Sequence, residues 1–348
     1  MIKVLKFGGS SLTNKDSRKN VINIIKEIPE KVIVVVSAMG RYPDAYATDT
    51  LKSMISNSVT DQERSRLLSI GETMSTVIIA DELKLSGINA ISLSSNQAGM
   101  RIENKHLVQL DTKFILETFE KFDVIVLPGF QGLDAQGEIE ILESGDSDYS
   151  AVFIARKLGL DHVSIYSDVP GIFTADPKLI KSAKLIEHVS YEQALDLAAH
   201  KARIICKKAL DEASVIKDFE IILKCTYNKN GQTKIDHIET SIKTMSVDFN
   251  YWQVQMEKDN FELEKEKIFD ETEDGFYIIK PENASLIQSP YTFINEVVKV
   301  HFVGKNLIIP QNIISRFKKS TIEKNSFYVN KNHHIEDITY LHDAINLT

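Results

Sequence analysis

The stretch Lys3-Val4-Leu5-Lys6-Phe7-Gly8-Gly9-Ser10-Ser11 joins an apolar run to two glycines and two hydroxyl residues. The run predicts a buried strand over Ile2–Phe7 that stops at the glycine pair. Two glycines let the backbone approach a bulky anion and turn its N–H groups towards it, and Lys6 adds a mobile positive charge. A strand that ends in Gly-Gly can also be only a tight turn. The stretch therefore indicates either a phosphate cradle at the carboxyl end of a strand or a simple turn.

Strands of the same buried character recur through the first half of the chain. β-Branched and other apolar residues dominate them, and helical patterns lie between them. The predicted strands cover Ile2–Phe7, Val32–Val36, Asn89–Leu93, Asp123–Leu127 and His162–Tyr166. Capping boxes at residues 60–63 and 190–193 predict two helix starts. This alternation predicts the α/β class, as a three-layer sandwich whose mostly parallel sheet has helices on both faces.

A change of composition after residue 230 divides the chain. We expect one domain over residues 1–230, ending at the turn Asn228-Lys229-Asn230-Gly231, and a second over residues 240–348. Residues 257–274 are dense in charge of both signs, which predicts solvated hairpins or loops. The predicted elements that follow, which indicate a small α+β sandwich, are a strand over 296–303, a helix led by Pro310, a strand over 326–329 and a helix near 335–345.

Composition argues against several classes of protein. The 348 residues carry a formal net charge of -8, which disfavours a nucleic-acid groove or an anionic membrane surface as partner. No apolar run approaches the roughly 20 residues that span a bilayer, and Met1 leads directly into a strand without a signal-peptide pattern. Cys206 and Cys225 are the only cysteines and have neither metal-ligand nor disulfide spacing, so we assign no metal ligands. We expect a cytoplasmic protein with no nucleic-acid or membrane partner.

A second candidate phosphate segment runs from Leu142 to Ala151. Its serines and Gly145 precede a helical pattern, whose first N–H groups would face an anion. Asp148 could hold Mg²⁺ through water or orient a lysine. The segment could equally be a helix cap, because Asp and Ser are the preferred capping residues. The residues themselves leave both interpretations open.

Three further segments could complete a nucleotide and acceptor site. Residues 165–178 end a predicted strand in a turn-rich loop with an aromatic, carboxylates and a lysine, which can hold a purine and its phosphates or simply start a helix at Asp176-Pro177. Residues 34–40 end another strand in small side chains. Glu72 interrupts an apolar helix, and its apolar neighbours favour a cleft over the solvent-facing position usual for a lone glutamate.

Eight segments, in order and covering essentially the first 230 residues, resemble the aspartate kinases, which have the amino-acid-kinase fold. They are Lys-Phe-Gly-Gly-Ser-Ser at 6–11, Ser-Ala-Met-Gly at 37–40, Tyr-Ala-Thr-Asp-Thr-Leu at 46–51, Gly-Glu at 71–72, Gln-Ala-Gly at 97–99, Pro-Gly-Phe-Gln-Gly at 128–132, Ser-Asp-Tyr-Ser-Ala at 147–151 and the loop at 165–178. The resemblance implies Mg²⁺-dependent transfer of the γ-phosphoryl group of ATP to the β-carboxylate of L-aspartate. The product, 4-phospho-L-aspartate, begins lysine, threonine and methionine biosynthesis.

The resemblance also implies residue roles. The implied ATP site comprises Lys6, Gly8, Gly9, Ser10, Ser167, Asp168, Phe173, Asp176, Lys178 and Arg203. The implied amino-acid site comprises Ser37, Thr48, Glu72, Ser147 and Asp148. Glu72 would receive the substrate ammonium, and Lys6 and Asp148 would be the catalytic residues, with Asp148 ordering Lys6. A carboxylate acceptor is already ionised at neutral pH, so positioning and charge neutralisation suffice without a general base.

Two segments depart from the family pattern. The family's Gly-Arg-Gly-Gly-Ser-Asp reads Glu-Ser-Gly-Asp-Ser-Asp at 143–148, so Ser144 stands where an arginine clamps a substrate carboxylate. Under the aspartate kinase interpretation, Arg41 or Arg101 must take that place. Cys206-Lys207 replaces a His-Pro or Ser-Pro pair. The extra lysines at 207–208 either compensate for the acidic loop or coat a helix face, and we prefer the second interpretation.

The C-terminal region is short for an aspartate kinase. Residues 240–348 would form a shortened ACT-like regulatory and dimerisation domain, which implies a homodimer or higher homo-oligomer and an amino-acid effector. Three functions stay open: an aspartate kinase, which we prefer; an enzyme of the same fold with another acceptor; and a catalytically weak regulatory paralogue that binds ATP or an amino acid.

Overall fold

The structure, a computed structural model, describes residues 1–202, 204–305, 307–323 and 325–345. The strands within them are β1 (Ile2–Phe7), β2 (Lys31–Val36), β3 (Ala90–Ser92), β4 (Arg101–Glu103), β5 (His106–Gln109), β6 (Val124–Pro128), β7 (Gln131–Leu133), β8 (Ile139–Ile141), β9 (His162–Ser167), β10 (His188–Ser190), β11 (Glu220–Cys225), β12 (Gln232–Asp236), β13 (Thr244–Gln255), β14 (Ile268–Glu271), β15 (Tyr277–Ile279), β16 (Thr292–Val303), β17 (Lys318–Lys319) and β18 (Ser326–Asn330). The α-helices are α1 (Gly9–Leu12), α2 (Lys15–Lys26), α3 (Thr48–Ser53), α4 (Asp61–Leu68), α5 (Ile70–Leu85), α6 (Thr112–Thr118), α7 (Ser147–Lys157), α8 (Tyr191–Ala199), α9 (Lys207–Ser214), α10 (Lys258–Glu264), α11 (Gln311–Ile314) and α12 (His334–Ala344). Short 3₁₀ turns cover Lys265–Lys267, Pro281–Leu286 and Lys331–His333.

The first of two compact units contains a mostly parallel sheet. This unit comprises Met1–Ile172, Glu187–Tyr191 and Ile205–Ile238. Its eight-stranded sheet has the order β10-β12-β11-β9-β1-β2-β6-β3, and among the paired strands only β11 and β12 run antiparallel. The sequence prediction of an α/β fold with a mostly parallel sheet is confirmed.

Side-chain alternation along β1 explains how this sheet is covered. Leu5 and Phe7 belong to a buried cluster that also takes apolar side chains from α2 and α5. Lys6 lies between them in the sequence and therefore points to the opposite face of the sheet. Its amino group meets Asp148 on α7 there. Helices thus cover both faces, as the continuous apolar strands predict.

A smaller sheet completes the first unit. Its order is β5-β4-β7-β8. Gly132 on β7 packs closely on β4, because a Cβ atom there would lie 2.8 Å from the Cγ1 of Ile102. The Pro-Gly-Phe-Gln-Gly segment at 128–132 therefore links the carboxyl end of β6 to this second sheet.

The second unit is built on an antiparallel sheet. It comprises Phe173–Ile186, Glu192–Ile204 and Glu239–Thr348, and its sheet order is β14-β15-β13-β16-β18-β17. One face packs on α12, where Val300 and Phe327 meet Ile338 and Leu341 in a buried cluster. The two-domain division at 1–230 and 240–348 stays a prediction.

The charged segment at 257–274 corrects one sequence expectation. It begins with α10 and a 3₁₀ turn, which the sequence did not predict, whereas β14 pairs antiparallel with β15 across a short turn and forms an expected hairpin. Glu264 is buried because its carboxylate pairs with Lys267 at 2.6 Å and accepts the backbone N–H groups of Gln288 and Ser289. These partners let a charged helix pack, and charge density alone could not reveal them.

In the described part of the chain, every helix is too short or too polar to cross a lipid bilayer.

Candidate active site

The carboxyl end of β1 places a lysine inside the first unit. Lys6 is only 8% exposed, and its Nζ lies 2.6 Å from Oδ1 of Asp148, which is 9% exposed. Asp148 is in the first turn of α7, where a carboxylate is stabilised by the positive end of the helix. The pair therefore joins the end of a central strand to the start of a covering helix.

The glycine pair that follows β1 has two different roles. A Cβ atom on Gly9 would lie 2.6 Å from the carbonyl oxygen of Ala38 and 2.7 Å from that of Gly40. The loop after β2 approaches so closely that only glycine fits, and the Gly40 N–H donates to the Gly9 carbonyl at 3.1 Å. A Cβ on Gly8 would meet its nearest atoms at 3.7 Å, which is ordinary contact. Packing within the protein thus requires Gly9 but not Gly8.

We expect Gly9→Ala to destabilise the first unit by about 1–3 kcal/mol, because the added methyl group meets two backbone carbonyls that cannot rotate away. Gly8→Ala is the matched control and should shift the melting temperature much less. Thermal unfolding of both variants by circular dichroism tests this. Equal stability of the two variants would contradict the packing described for Gly9.

A buried glutamate faces the same region from α5. Glu72 is 2% exposed, and its Oε1 accepts the backbone N–H of Ala38 at 3.0 Å. Its Oε2 has no hydrogen-bond partner among the described residues. Burial raises the pKa of Glu72 to about 7. Gly71 permits this position, because a Cβ there would lie 2.6 Å from the Ala38 side chain. An unsatisfied carboxylate oxygen at a cleft wall is suited to a cationic ligand group.

The acidic loop before α7 is neutralised from α9. Asp146 is 3% exposed, and its Oδ2 accepts the backbone N–H of Glu143 at 3.1 Å and the Lys208 ammonium at 3.0 Å. The same ammonium lies 3.3 Å from Glu143. The preferred sequence interpretation, that both lysines coat a helix face, is therefore wrong for Lys208. It holds for Lys207, which pairs with Asp211 one turn along the exposed side of α9.

These elements enclose one cleft of about 320 Å³. The predicted site residues on its wall are Lys6, Gly9, Ser37, Thr48, Glu72, Ser147 and Asp148. Arg41, Gly40, Asp49, Phe130, Ser144 and Gly145 also line it. Every predicted amino-acid-site residue therefore lies on one cavity, together with Ser144 and with one of the two arginines proposed to replace the family arginine.

The predicted nucleotide residues are distributed more widely. Gly8 and Ser10 flank Gly9, Ser167 is the last residue of the adjacent strand β9, and Asp168 follows it. Ser167 donates its hydroxyl to the Val169 carbonyl at 3.0 Å, and Asp168 lies 3.5 Å from the Arg41 guanidinium. In the second unit, the Oδ1 of Asp176 accepts the Lys178 N–H at 2.8 Å, and Phe173 forms a β-bridge with Leu185. Arg203 lies outside the described residues. The functional roles of all these residues stay predictions.

Sequence reasoning did not include Phe130 and Lys208 among the site residues. Phe130 is 4% exposed with φ of +67°, and its N–H donates to the Ser150 hydroxyl at 3.0 Å. A positive φ at a buried aromatic residue leaves no sign in residue type, although Phe130 lies within the quoted Pro-Gly-Phe-Gln-Gly segment. Lys208 was visible only as one of two adjacent lysines, and its direction depends on how α9 packs on α7.

Comparison with known proteins gives consistent matches. The model of the family described as "Amino acid kinase family" matches residues 1–216. The chain is 34% identical to Aspartokinase 1 of Bacillus subtilis (strain 168) over 244 residues, which cover 67% of this chain and 60% of that protein. It is 32% identical to the aspartokinase of Helicobacter pylori (strain ATCC 700392 / 26695) over 273 residues, covering 74% and 67%. The chain spans about 55–60% of the length of the first curated relatives it matches.

Solved structures match the fold over almost the whole chain. The crystal structure of E. coli aspartokinase III in complex with lysine and aspartate superposes with a TM-score of 0.76, 17% identity and coverage of 99% of both chains. The crystal structure of Clostridium acetobutylicum aspartate kinase gives a TM-score of 0.72 at 18% identity, covering 99% of this chain and 100% of that one. At this identity the likeness concerns the fold alone.

Proposed function

Because this chain belongs to the amino acid kinase family, we propose that it transfers the γ-phosphoryl group of ATP to the β-carboxylate of L-aspartate, forming 4-phospho-L-aspartate. The curated relatives named aspartokinase support this acceptor. The observation that carries the proposal is the content of one cleft: the Lys6–Asp148 ion pair and the unsatisfied Glu72 carboxylate line the same cavity. The Lys6 ammonium can stabilise a phosphoryl group during its transfer, and the Glu72 carboxylate can bind the ammonium group of an amino acid.

The cleft has the charges that this reaction needs. Lys6 is positioned by Asp148 and stabilises negative charge on the transferring group. Glu72 binds the substrate ammonium through its unpaired oxygen. The substrate carboxylate is already ionised and needs no base, so catalysis consists of bringing two anions together and neutralising them.

The residues that line the cleft fit a nucleoside triphosphate and its Mg²⁺. Gly8 leaves room for a phosphate to reach the backbone next to Lys6, since a Cβ there would be 3.7 Å from the Lys6 Nζ. The first turn of α7 also directs its N–H groups towards the cleft that Ser147 and Asp148 line. Asp148 would hold Mg²⁺ through water. The ion, when bound, neutralises charge on the phosphates.

Arg41 is the best candidate to hold the second carboxylate of aspartate. It lines the same cleft as Ser144, and its side chain is 68% exposed and held only by an exposed ion pair with Asp168 at 3.5 Å, among the described residues. Arg101 lies on β4 and donates to the Asp134 carbonyl at 3.4 Å. We therefore assign to Arg41 the carboxylate clamp that the Ser144 position lacks.

We expect Arg41→Met to raise the KM for aspartate about tenfold or more, because a charge-assisted hydrogen bond to a carboxylate contributes about 1.5–3 kcal/mol. The KM for ATP should change much less. Initial rates with varied aspartate measure the effect, and Arg101→Met is the control that should leave both constants near wild type. If Arg101→Met raises the aspartate KM and Arg41→Met does not, the assignment is reversed.

Finer parts of the proposal concern the cellular role. We propose that the reaction begins lysine, threonine and methionine biosynthesis in the cytoplasm. The second unit would be a shortened ACT-like module that dimerises and responds to an amino-acid effector. The structure of E. coli aspartokinase III with lysine and aspartate supports looking first at lysine. Size-exclusion chromatography with light scattering, and rates with added lysine, threonine or methionine, test these points.

The direct test is to incubate the purified chain with Mg-ATP and L-aspartate and trap the acyl phosphate as a hydroxamate. Hydroxamate that depends on aspartate and ATP supports the proposal. An acceptor screen that leaves out aspartate but includes glutamate and other acidic metabolites serves as the comparison. ATP binding without turnover on aspartate would contradict the proposal, and turnover on another acceptor would reassign the substrate.

A further inference from the structure

The second unit contains a cluster of two histidines and two carboxylates that the proposed reaction does not use. Asp196 is on α8, and His200 follows it by one helical turn. His301 is on β16, and Glu323 is in the segment before β18. The rings of His200 and His301 are parallel, with centroids 3.3 Å apart and an interplanar angle of 6°. Such a stack of imidazoles needs neighbouring groups to hold it.

Both rings present one nitrogen to Asp196. The Asp196 Oδ1 lies 3.0 Å from the His200 Nδ1 and 3.4 Å from the His301 Nε2. The three ligand atoms lie within 4.8 Å of one another. Ligands at bond lengths of about 2.0–2.1 Å around a tetrahedral ion are about 3.3–3.4 Å apart. The two oxygen–nitrogen distances are therefore already close to those of a coordination sphere.

The other nitrogen of each ring has its own partner. The His200 Nε2 lies 3.2 Å from the Glu323 carboxylate, and the His301 Nδ1 lies 2.8 Å from the Ser326 hydroxyl. Ser326 in turn donates to Glu323 at 2.7 Å, so its oxygen accepts the His301 Nδ1–H. Lys299 holds the same carboxylate at 2.6 Å. Metal-binding histidines use this arrangement, in which a carboxylate or hydroxyl on the far nitrogen fixes the near one as the ligand. The His200 Nδ1 also donates to the Asp196 backbone carbonyl at 2.8 Å, so it must lose this proton when it binds an ion.

This hydrogen bonding leaves the Nε2 atom of His301 unprotonated, with a free lone pair. With Nδ1–H donating to Ser326, the neutral ring of His301 has its lone pair on Nε2, and this atom has no hydrogen-bond partner among the described residues. His301 is 7% exposed, so water does not readily compensate. A neutral imidazole nitrogen and a carboxylate oxygen that face each other at 3.4 Å repel unless a cation lies between them.

We propose that Asp196, His200 and His301 bind a divalent transition-metal ion of the zinc type. Two imidazoles and a carboxylate are a zinc ligand set, whereas Mg²⁺ prefers oxygen ligands alone. Both histidines also line a cavity of about 200 Å³ within the second unit, which leaves a fourth position open to water or another ligand. Because the two rings are stacked parallel, their lone pairs do not converge, and binding one ion requires the rings to rotate well out of the stack.

The ligands come from distant parts of the sequence. Asp196 and His200 precede His301 by about a hundred residues, so the local spacing that identifies many zinc sites is absent, and residue spacing alone predicted no metal ligands. The bound ion would join α8, β16 and the segment before β18 within the second unit. Its role is thus independent of the phosphoryl-transfer cleft, and its test does not require kinase activity.

The test uses the full chain, stripped of metal with a chelator and titrated with Zn²⁺ by calorimetry and with Co²⁺ by visible absorption. We expect one equivalent at this site, with ligand-field bands from Co²⁺ and a higher melting temperature with Zn²⁺. His301→Gln and Asp196→Asn should each weaken this binding at least about tenfold. His333→Gln, which changes an exposed histidine of the same unit, is the matched control and should bind like wild type.

Circular dichroism and melting of the metal-free variants separate loss of a ligand from loss of the fold. If His301→Gln is unfolded, Asp196→Asn, which keeps the side-chain shape, decides the question. The proposal is overturned if the wild-type chain binds no equivalent of Zn²⁺, or if a folded Asp196→Asn or His301→Gln variant binds it as tightly as wild type.

Discussion

Lys6→Met is expected to lower kcat for aspartate phosphorylation roughly a thousandfold. Removing one preorganised positive or hydrogen-bonding group from a transition state typically costs two to three orders of magnitude, and cationic groups in phosphoryl transfer are at the upper end. Lys6 is a buried cation on the cleft wall, 2.6 Å from Asp148 and almost out of solvent. Methionine keeps most of the unbranched, apolar stem, is one atom shorter than lysine, and removes the ammonium group. Hydroxamate formation under saturating substrates measures the loss.

Stability is the competing explanation for a loss of this size. Without the ammonium, Asp148 becomes a buried carboxylate that has lost its ion-pair partner, and breaking a buried pair in this way costs about 3–5 kcal/mol. The double variant Lys6→Met/Asp148→Asn removes both charges. It should therefore melt at a higher temperature than Lys6→Met and stay equally inactive. Recovery of activity in the double variant would show that the single variant failed by unfolding.

A surface lysine is the matched control for charge removal. Lys19 on α2 is 68% exposed and pairs with Asp16 one turn away, an exposed pair, so Lys19→Met should leave kcat within about twofold of wild type. ATP binding by Lys6→Met should also be measured, since binding without turnover assigns the residue to the transferring group. A folded Lys6→Met enzyme with more than about a tenth of wild-type kcat would contradict the catalytic role.

Local patterns predicted much of the fold because each has a short-range cause. The strand predicted over Ile2–Phe7 has these bounds in the structure, since four apolar residues among six and a glycine stop define it. The capping box at residue 60 is present: Thr60 accepts the Glu63 N–H, and the Glu63 carboxylate accepts the Thr60 N–H at 2.8 Å. The predicted helix behind it divides into α4 and α5 near Ser69. Residue periodicity continues through that break, so the sequence did not indicate it.

Site residues could be predicted from sequence where they belong to a recognisable motif. They could not be predicted where their position depends on a partner distant in the sequence. Apolar neighbours indicated that Glu72 faces a cleft, and the structure buries it on the cleft wall. The pairing of Lys208 with Asp146 depends on how α9 packs on α7, and no local pattern encodes it. The Asp196–His200–His301 cluster could not be predicted for the same reason, because His301 on β16 comes close to the other two residues only in the folded chain. Contacts between residues that are distant in the sequence can be identified only from the tertiary structure. Both examples are contacts between ionisable side chains.

Glu72→Gln is expected to raise the KM for aspartate and, at the same time, to raise the stability of the folded protein. Glutamine can still accept the Ala38 N–H but cannot pair with an ammonium, so the KM for aspartate should rise about tenfold to a hundredfold while the KM for ATP changes little. In the wild type, kcat/KM for aspartate should fall as the pH drops through about 7, because Glu72 then takes up a proton. This limb of the pH profile should disappear in Glu72→Gln.

The sign of the stability change follows from the raised pKa. Folded Glu72 keeps its proton up to a pKa of about 7, whereas the unfolded side chain has the ordinary value of 4.5. Between these values the folded state binds more protons than the unfolded state, so the free energy of unfolding falls as the pH rises, and the loss is complete above about pH 7. The shift corresponds to about 3 kcal/mol. Glu72→Gln should therefore melt higher than wild type at about pH 8, with the difference disappearing towards pH 4.

This opposite response of activity and stability separates a binding role from a structural one. A carboxylate kept only for packing would, when replaced by glutamine, leave the aspartate KM unchanged. Asp81→Asn, on the exposed side of the same helix, removes one charge without touching the cleft and should alter neither quantity. Saturating aspartate should also raise the melting temperature of wild type more than that of Glu72→Gln, since the ligand ammonium offsets the cost of the buried charge. A Glu72→Gln protein that is both less stable at about pH 8 and unchanged in aspartate KM would refute this role for Glu72.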